Sequence, residues 1–368
     1  GYGKVSRELL RRLKAQGHEA TIATKHPQFG NGEWEGTAII PGLDIGYLIS
    51  LMEKGHYDYV FTLWDIWMLS DKRKFPRDQW IAYVPIDSNQ ISARLYGVVK
   101  ETAMPIAMSK HGLQAMRDAG LMPSYAPHGV DMATLRPDAE ARKAFRDNFG
   151  WDDETFVIGS VGLNYRDDRK GFIQLMQAFK AFHERHPQSR LYLHTDNGSK
   201  GGDTVPFYAI ARSLGITEWI AWPEQAAFFL NLIDEEWLRA VYNGMDVFCL
   251  PTRGEGFGIP TVDAQACGVP VIVSDNTTGP ELCKTGWLID CHERDLRWMQ
   301  TDAWRYEPQF DAVLERLEEA HDAWRDPDWA EFKVKARERI LEYDWPRVWD
   351  RYWKPLWHVL EKHLVQPS

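Results

Sequence analysis

The chain has 368 residues, 44% apolar and 26% charged, with a net charge of −10. That length fits two domains, and the composition is ordinary for a soluble globular protein. The acidic balance argues against non-specific nucleic-acid binding and against a wholly basic membrane-binding surface, because phosphates are held by basic patches.

Four cysteines, Cys249, Cys267, Cys283 and Cys291, lack Cys-x-x-Cys spacing. Zinc is therefore not indicated, and free thiols in a reducing compartment are expected. No signal peptide and no apolar run of about 18 residues is present, so a cytoplasmic protein without a spanning helix is expected.

The opening stretch GYGKVSRELLRRLKAQGHEATIAT predicts a loop, an amphipathic helix and then a strand. Val5, Leu9, Leu10 and Leu13 share one helical face, and Gly17 suits the C-terminal cap. A chain that opens at a turn suggests that an earlier strand is absent. Strands are predicted near Glu19–Thr24 and in GTAII, YDYVFTL, WIAYVPI and MPIAMS, with helices such as SKHGLQAMRDAG between several of them. Short apolar strands alternating with helices predict a parallel sheet covered on both faces. Pro127, Gly129 and Pro137 punctuate the exit from this unit. A second alternating unit follows, with strands in FVIGSV, RLYLHT, EWIAW, DVFCLP and PVIVSD and with helices in GFIQLMQAFKAFHERHP and DEEWLRAVYNGM. Two such units predict an α/β protein of two doubly wound domains facing each other. From about Asp326 the chain reads as helical and rich in tryptophan.

The chemistry concentrates in DVFCLPTRGEGFGIPTVDAQACGVPVIVSD. A buried strand, a glycine-rich turn and a helix with Pro260 at its start place bare N–H groups and a positive helix end at the turn. That combination suits phosphate. Asp263, in the first helical turn, suits a ribose diol. Glu255, on the turn, suits hydroxyls beyond the phosphates. The alternative for Asp263 alone is an acid that complements the helix dipole.

The stretch resembles the signature of GT-B glycosyltransferases of family GT4, retaining enzymes with a Glu-x7-Glu motif. It supplies Glu255, Gly256, Phe257, Gly258, Ile259 and Pro260, then Asp263, Ala264, Ala266, Gly268, Pro270 and Val271. Aspartate stands at position 263 where the family usually has glutamate. The resemblance implies a GT-B fold of two Rossmann-like domains across a cleft. Residues 1–135 with 345–368 would form the N-terminal, acceptor-side domain and its crossover helix, and 136–344 the nucleotide-sugar domain. The first strand of the N-terminal domain is missing from the pattern. It further implies transfer from a nucleoside-diphosphate sugar to an acceptor that is a glycan, a lipid or a small molecule, with no cofactor and no metal ligands.

By the same resemblance, SVGLNYRDDRKGFIQLMQAF carries the diphosphate-binding cations. Lys170, followed by Gly171, matches the family lysine. The family arginine follows the strand glycine directly, but Leu163 follows Gly162 here, so Arg166 or Arg169 takes that role through a longer loop. A cationic pair fits the charge that grows on a leaving diphosphate. Gly1 and Gly3 match the first glycine loop, where bare backbone approaches the ligand. Asp87, in YVPIDSNQ, matches the cleft-facing strand end and would orient a hydroxyl or the acceptor, with a helix-cap role as the alternative. His128 reads as structural. Trp345, Trp349, Trp353 and Trp357, interrupted by Pro355, read as a packing stripe on a helix that braces the N-terminal domain. The basic cluster DKRKFPRD at 71–78 reads as a solvated loop, with peripheral membrane contact as its weaker reading. Two other readings stand beside transfer: an epimerase or phosphorylase on the same fold, or a catalytically weak nucleotide-sugar-binding protein. A dehydrogenase is disfavoured by the lack of Gly-x-Gly-x-x-Gly between a strand and a helix. The base, sugar, acceptor and oligomeric state are not encoded in any motif found here.

Overall fold

The computed structural model describes residues 2–24, 32–42, 44–65, 75–199, 202–230, 232–299 and 302–364. The N-terminal part runs α1 (Tyr2–Ala15), β1 (Thr21–Thr24), β2 (Glu33–Trp34), β3 (Thr37–Pro41), α2 (Ile45–Glu53), β4 (Val60–Leu63), β5 (Trp80–Val84), α3 (Ala93–Val99), β6 (Met104–Ala107), α4 (Lys110–Asp118) and β7 (Ser124–Tyr125). Strands β4, β5, β6 and β7 form one parallel sheet. Every residue of β5 is buried, as expected of a strand covered on both faces. Strands β1, β3 and β2 form a separate sheet, in that order. Among the described residues no ladder joins β1 to β4, so this domain's strands do not form the single sheet of a complete doubly wound domain.

Helix α1 buries Val5 and Leu9, and Leu13 packs at the edge of the same core. Gly17 follows with φ +92°, a value that an L side chain rarely adopts. The expected opening loop is helical instead: α1 begins at Tyr2, and Gly3 lies in its first turn. Gly1 and half of the basic cluster, residues 71–74, lie outside the described residues.

The second part runs α5 (Ala139–Phe149), β8 (Phe156–Val161), α6 (Phe172–Arg185), β9 (Ser189–His194), α7 (Phe207–Leu214), β10 (Ile220–Ala221), α8 (Gln225–Phe229), α9 (Glu235–Gly244), β11 (Val247–Leu250), α10 (Ile259–Ala266), β12 (Val271–Ser274), α11 (Gly279–Leu282) and β13 (Gly286–Ile289). Its six strands are parallel, in the order β10-β9-β8-β11-β12-β13. The order reverses between β8 and β11. In an open α/β sheet, ligands bind in the crevice outside the strand ends at such a switch point. The loops that leave β8 and β11 therefore define where a site should form. A hairpin without counterpart in the sequence reading follows, β14 (Leu296–Met299) and β15 (Ala303–Tyr306), paired antiparallel. Helices α12 (Phe310–Trp324), α13 (Trp329–Ile340), α14 (Trp345–Val348) and α15 (Lys354–Leu364) complete the chain.

The four tryptophans of the C-terminal stripe are buried. Trp353 lies edge-on to Tyr83 at 4.9 Å, and Trp357 packs on Tyr59 and Phe61. The last helices thus brace the N-terminal sheet. Between α14 and α15, residues Trp349–Trp353 form a π-helical turn. Pro355 has no N–H to return to Arg351, and a widened turn absorbs the missing bond. The chain crosses between the two parts near residues 130 and 344, and the crossings bond to each other: Val130 N donates to Tyr343 O at 2.8 Å and Trp345 N to Val130 O at 3.1 Å. The indole of Trp345 lies flat against Gly129, where an added Cβ would stand 2.4 Å from a ring carbon.

Gly129→Ala should therefore force the buried indole to move. Overpacking of this kind costs roughly 1–3 kcal/mol, read as a lower urea midpoint at unchanged slope. An unchanged midpoint would show that Trp345 does not fix the crossing.

Candidate functional site

The loop after β8 ends at Lys170 and Gly171, and the loop after β11 carries residues 251–258. They are knitted together. Arg253 N donates to Arg169 O at 2.8 Å, and Thr252 Oγ1 to Arg169 O at 3.1 Å. Gly171, at φ +70°, abuts Pro251 so closely that a Cβ would stand 1.9 Å from its carbonyl oxygen. Only glycine tolerates both the dihedral and the approach.

This contact brings the two strongest sequence candidates together. Lys170 Nζ lies 2.6 Å from Glu255 Oε1, and both residues are buried. Thr252 Oγ1 donates to the same oxygen at 3.0 Å. Glu255 N donates to Thr277 Oγ1 at 3.0 Å, and Thr277 sits at φ +41°. A β-branched residue in the left-handed region is strained and persists only where its surroundings enforce it. Burial would raise the Glu255 carboxyl, but the charges of Lys170 and Arg169 and the hydrogen bonds outweigh it and bring it down to about 2. Burial lowers Lys170, opposed by Glu255. A carboxylate between a lysine and a guanidinium stays ionised.

Arg169 continues the cluster. Its Nη1 lies 3.5 Å from Glu255 Oε2 and 3.7 Å from Asp87 Oδ2. It also donates to Gly254 O, and its guanidinium lies over the Tyr165 ring at 5.2 Å. Asp87 lies just beyond β5, in the loop that faces the glycine-rich turn. The two parts touch here. A Cβ on Gly254 would stand 2.0 Å from Asp87 O, and one on Gly256 2.5 Å from Pro85 Cβ. The glycines of the motif therefore let one domain's turn lie against the other's strand end.

Asp87 has a second cation that sequence reasoning missed. Arg305, on β15, places Nη2 2.7 Å from Asp87 Oδ1 and donates Nε to Asp87 O at 3.0 Å. Charges thus alternate along Arg305, Asp87, Arg169, Glu255 and Lys170, three cations to two carboxylates. Asp65, near the end of β4, lies beside the chain. Burial raises it, with Asp87's charge adding, and Tyr2 OH donates to its Oδ1 at 3.1 Å.

Not every expected residue joins the cluster. Arg166 is exposed and pairs with Asp203 at 3.2 Å. A Cβ added to Gly3 would meet nothing within 4 Å. Phe257 turns into the core, edge-on to His128 at 4.8 Å and near Tyr343. His128 is buried and shares a 2.8 Å hydrogen bond with Tyr83 OH. Burial pushes it down to about 3, so it is neutral. Ile259 packs at the edge of the core.

The two helix starts differ. At α6, Asp168 accepts from Phe172 N and Ile173 N, each at 2.9 Å, so its own chain closes that terminus. At α10, Gly258 sits at φ +96° with no side-chain cap, and Pro260 occupies the first turn. Asp263 lies past the first turn of α10, not in it as the sequence suggested, and is almost fully buried. Its Oδ2 meets Lys4 Nζ of α1 at 3.1 Å, while Oδ1 has no partner. Burial raises this carboxyl, against the pull of Lys4. Lys4 and Arg305 lacked a local signal: each reaches its acid, Asp263 and Asp87, from an element remote in sequence. The four cysteines are free thiols, and among the described residues no helix is long and apolar enough to cross a membrane.

The chain resembles known proteins in sequence and in fold. Residues 155–297 match the family model of glycosyl transferases group 1. A D-inositol 3-phosphate glycosyltransferase from Corynebacterium jeikeium is 31% identical over 175 residues, 45% of this chain and 39% of that one. A GDP-mannose-dependent alpha-(1-6)-phosphatidylinositol monomannoside mannosyltransferase from Mycolicibacterium smegmatis is 32% identical over 176 residues, 45% of this chain and 42% of its own. The matched part thus spans about two fifths of the length of these relatives. Among solved structures, a sucrose-phosphate synthase from Thermosynechococcus elongatus superposes with a TM-score of 0.74 at 18% identity, covering 98% of this chain and 94% of that one. The segment that carries Lys170, Glu255 and Asp263 therefore matches the group 1 glycosyl transferases, and the chain around it has the GT-B fold.

Proposed function

We propose that this protein transfers a sugar, with retention of configuration, from a nucleoside-diphosphate sugar to an acceptor. The observation that carries the reading is the buried Lys170–Glu255 pair at the switch point, with Arg169 beside it and Asp87 across the cleft. As the bond from the sugar C1 to the diphosphate oxygen breaks, negative charge grows on the diphosphate. Lys170 and Arg169 stand where fixed cations would stabilise it. In the free protein Glu255 holds the Lys170 ammonium, so a bound diphosphate must share that cation. Glu255, kept ionised, would then steady positive charge developing on the sugar ring. Asp263, with one oxygen unpartnered, would accept from the ribose. Transfer on the face that the diphosphate leaves lets a phosphate oxygen take the acceptor's proton, so no further nucleophile is needed. The donor's diphosphate form is supported by the relative that uses GDP-mannose and by the cations. The acceptor is a hydroxyl compound that reaches Asp87.

A thermal-shift screen of UDP-, GDP- and ADP-sugars should give one clear stabilisation, since a ligand at a hundredfold excess over its Kd adds about 2.7 kcal/mol. Lys170→Ala should remove the shift for the matching nucleoside diphosphate while barely affecting the bare nucleoside. Equal loss for both would argue against a phosphate contact. Binding without turnover of any donor would favour a nucleotide-sugar-binding protein instead.

The fixed cations supply the charge that a divalent metal supplies in other transferases, so turnover should survive EDTA. Complete loss restored by added magnesium or manganese would refute this.

The two motif acids should separate in kinetics. Glu255→Gln should lower kcat and kcat/KM together, the mark of an interaction made in the transition state, with nucleotide Kd nearly unchanged. Asp263→Ala should weaken the nucleoside diphosphate itself, by about ten- to a hundredfold if one charged hydrogen bond is lost. Calorimetry beside steady-state rates decides. The reverse pattern would exchange the two roles.

A further inference from the structure

Arg305 enters the cleft from outside the family signature. The hairpin that carries it is anchored to its own domain at one end. Glu307, just beyond β15, accepts from Arg253 Nη2 at 2.7 Å and from Gln174 Nε2 at 3.1 Å. From that anchor the strand reaches across to the other domain. Trp304 O accepts from Asn89 N at 2.9 Å, and the neighbouring Arg305 grips Asp87 by both its carbonyl and Oδ1. The Arg305 side chain is only 5% exposed, so its position is set by packing. Its remaining nitrogen lies 3.7 Å from Asp167 Oδ2.

The distances are unequal in a telling way. Asp87 lies 2.7 Å from Arg305 but 3.7 Å from Arg169. Arg169 likewise stands off from Glu255 at 3.5 Å, because Lys170 holds that acid more tightly. Arg169 is thus flanked by two carboxylates, and each is drawn away from it by another cation. Were Asp87 released, Arg169 would be its nearest remaining cation.

We propose that Arg305 is a positioning residue: by holding Asp87 through its carbonyl and Oδ1, it keeps that carboxylate off Arg169 and leaves the Arg169 guanidinium available to an anionic ligand, the diphosphate of a nucleoside diphosphate. A guanidinium can donate Nε and Nη2 at once in a fixed fork, which a lysine ammonium on a flexible stem cannot reproduce. The hairpin therefore carries a group that acts on the ligand through two other residues and touches the ligand itself at no point. The inference rests on the reading above that Lys170 and Arg169 receive the diphosphate.

The test uses UDP, GDP and ADP as probes, titrated by calorimetry into the wild-type chain and three variants. In Arg305→Ala, Asp87 should close on Arg169 and compete with the diphosphate. The Kd of the nucleoside diphosphate that binds wild type should rise about tenfold, the scale of one charged hydrogen bond. The bare nucleoside should bind as before. Adding Asp87→Asn to Arg305→Ala removes the competing charge, and diphosphate affinity should return to the wild-type value or better. A hairpin that merely held the domains together would not be rescued in this way. Arg305→Lys, which keeps a charge but not the fork, should weaken binding by less than Arg305→Ala. It also carries the test, alone and with Asp87→Asn, if the alanine variant does not fold by circular dichroism. An unchanged Kd in the Arg305 variants, or a rise that persists in the double variant, overturns the inference while leaving the function reading in place. Wild-type protein that binds none of the three diphosphates overturns both.

Discussion

Closing two domains over a charged cleft is costly unless the charges find one another, and the chain of ions from Arg305 to Lys170 meets that requirement here. Each ion taken out of water loses several kcal/mol of solvation, which a mutual attraction recovers only with good geometry and added hydrogen bonds. Lys170 and Glu255 satisfy both conditions at 2.6 Å, with Thr252 donating to the same carboxylate oxygen. The chain ends on cations at both sides, Lys170 at one end and Arg305, which also faces Asp167 at 3.7 Å, at the other. Its position is fixed by topology, because the loops after β8 and β11 meet where the sheet order reverses.

Close backbone approach makes the chain of ions geometrically possible. Gly171 against Pro251 joins the two loops within one domain, and Gly254 and Gly256 against Asp87 and Pro85 join the two domains. A methyl group at any of these positions would separate elements that the ion pairs need within hydrogen-bond distance. The glycines of the motif therefore do more than let a phosphate approach. In the unliganded protein they let the protein's own carboxylates occupy the cleft, so ligand binding is an exchange of partners for Lys170.

The alternation of strands and helices was legible because parallel strands covered on both faces appear as short apolar runs, as in Phe156–Val161 and Val247–Leu250. Lys170 and Glu255 were each legible as site candidates because both sit in loops whose residue order mirrors a known signature, though their pairing was not. The choice between Arg166 and Arg169 was not, since both are arginines on one loop and only the fold turns Arg169 inward while Arg166 meets Asp203 in solvent. Arg305 and Lys4 escaped notice for a different reason. Each acts at a distance of more than 200 residues along the chain, where no local pattern carries information. For Gly3 and Phe257, motif position said nothing of local structure. Gly3 is helical, and Phe257 packs against His128 in the core.

The domain interface has two poles, and they differ in kind. Near the crossings, Val130 and Tyr343–Trp345 are joined by backbone hydrogen bonds. Glu281 adds to this pole by accepting from Tyr125 OH at 2.9 Å and from Lys110 N at 2.7 Å. On the cleft side the contacts are largely ionic: Arg305 with Asp87, Lys4 with Asp263, and the exposed Arg7 with Glu235. Backbone bonds between crossing strands resist sliding but permit rotation about their axis. Ion pairs between side chains separate with modest movement and re-form with water or with ligand. A rotation about the crossings that parts the cleft would therefore expose Asp263, Asp87 and Arg169 together while leaving the Trp345–Gly129 contact intact. Asp263 thus both helps to hold the cleft shut and is proposed to meet the donor, so admission of the ligand and assembly of its site become one event.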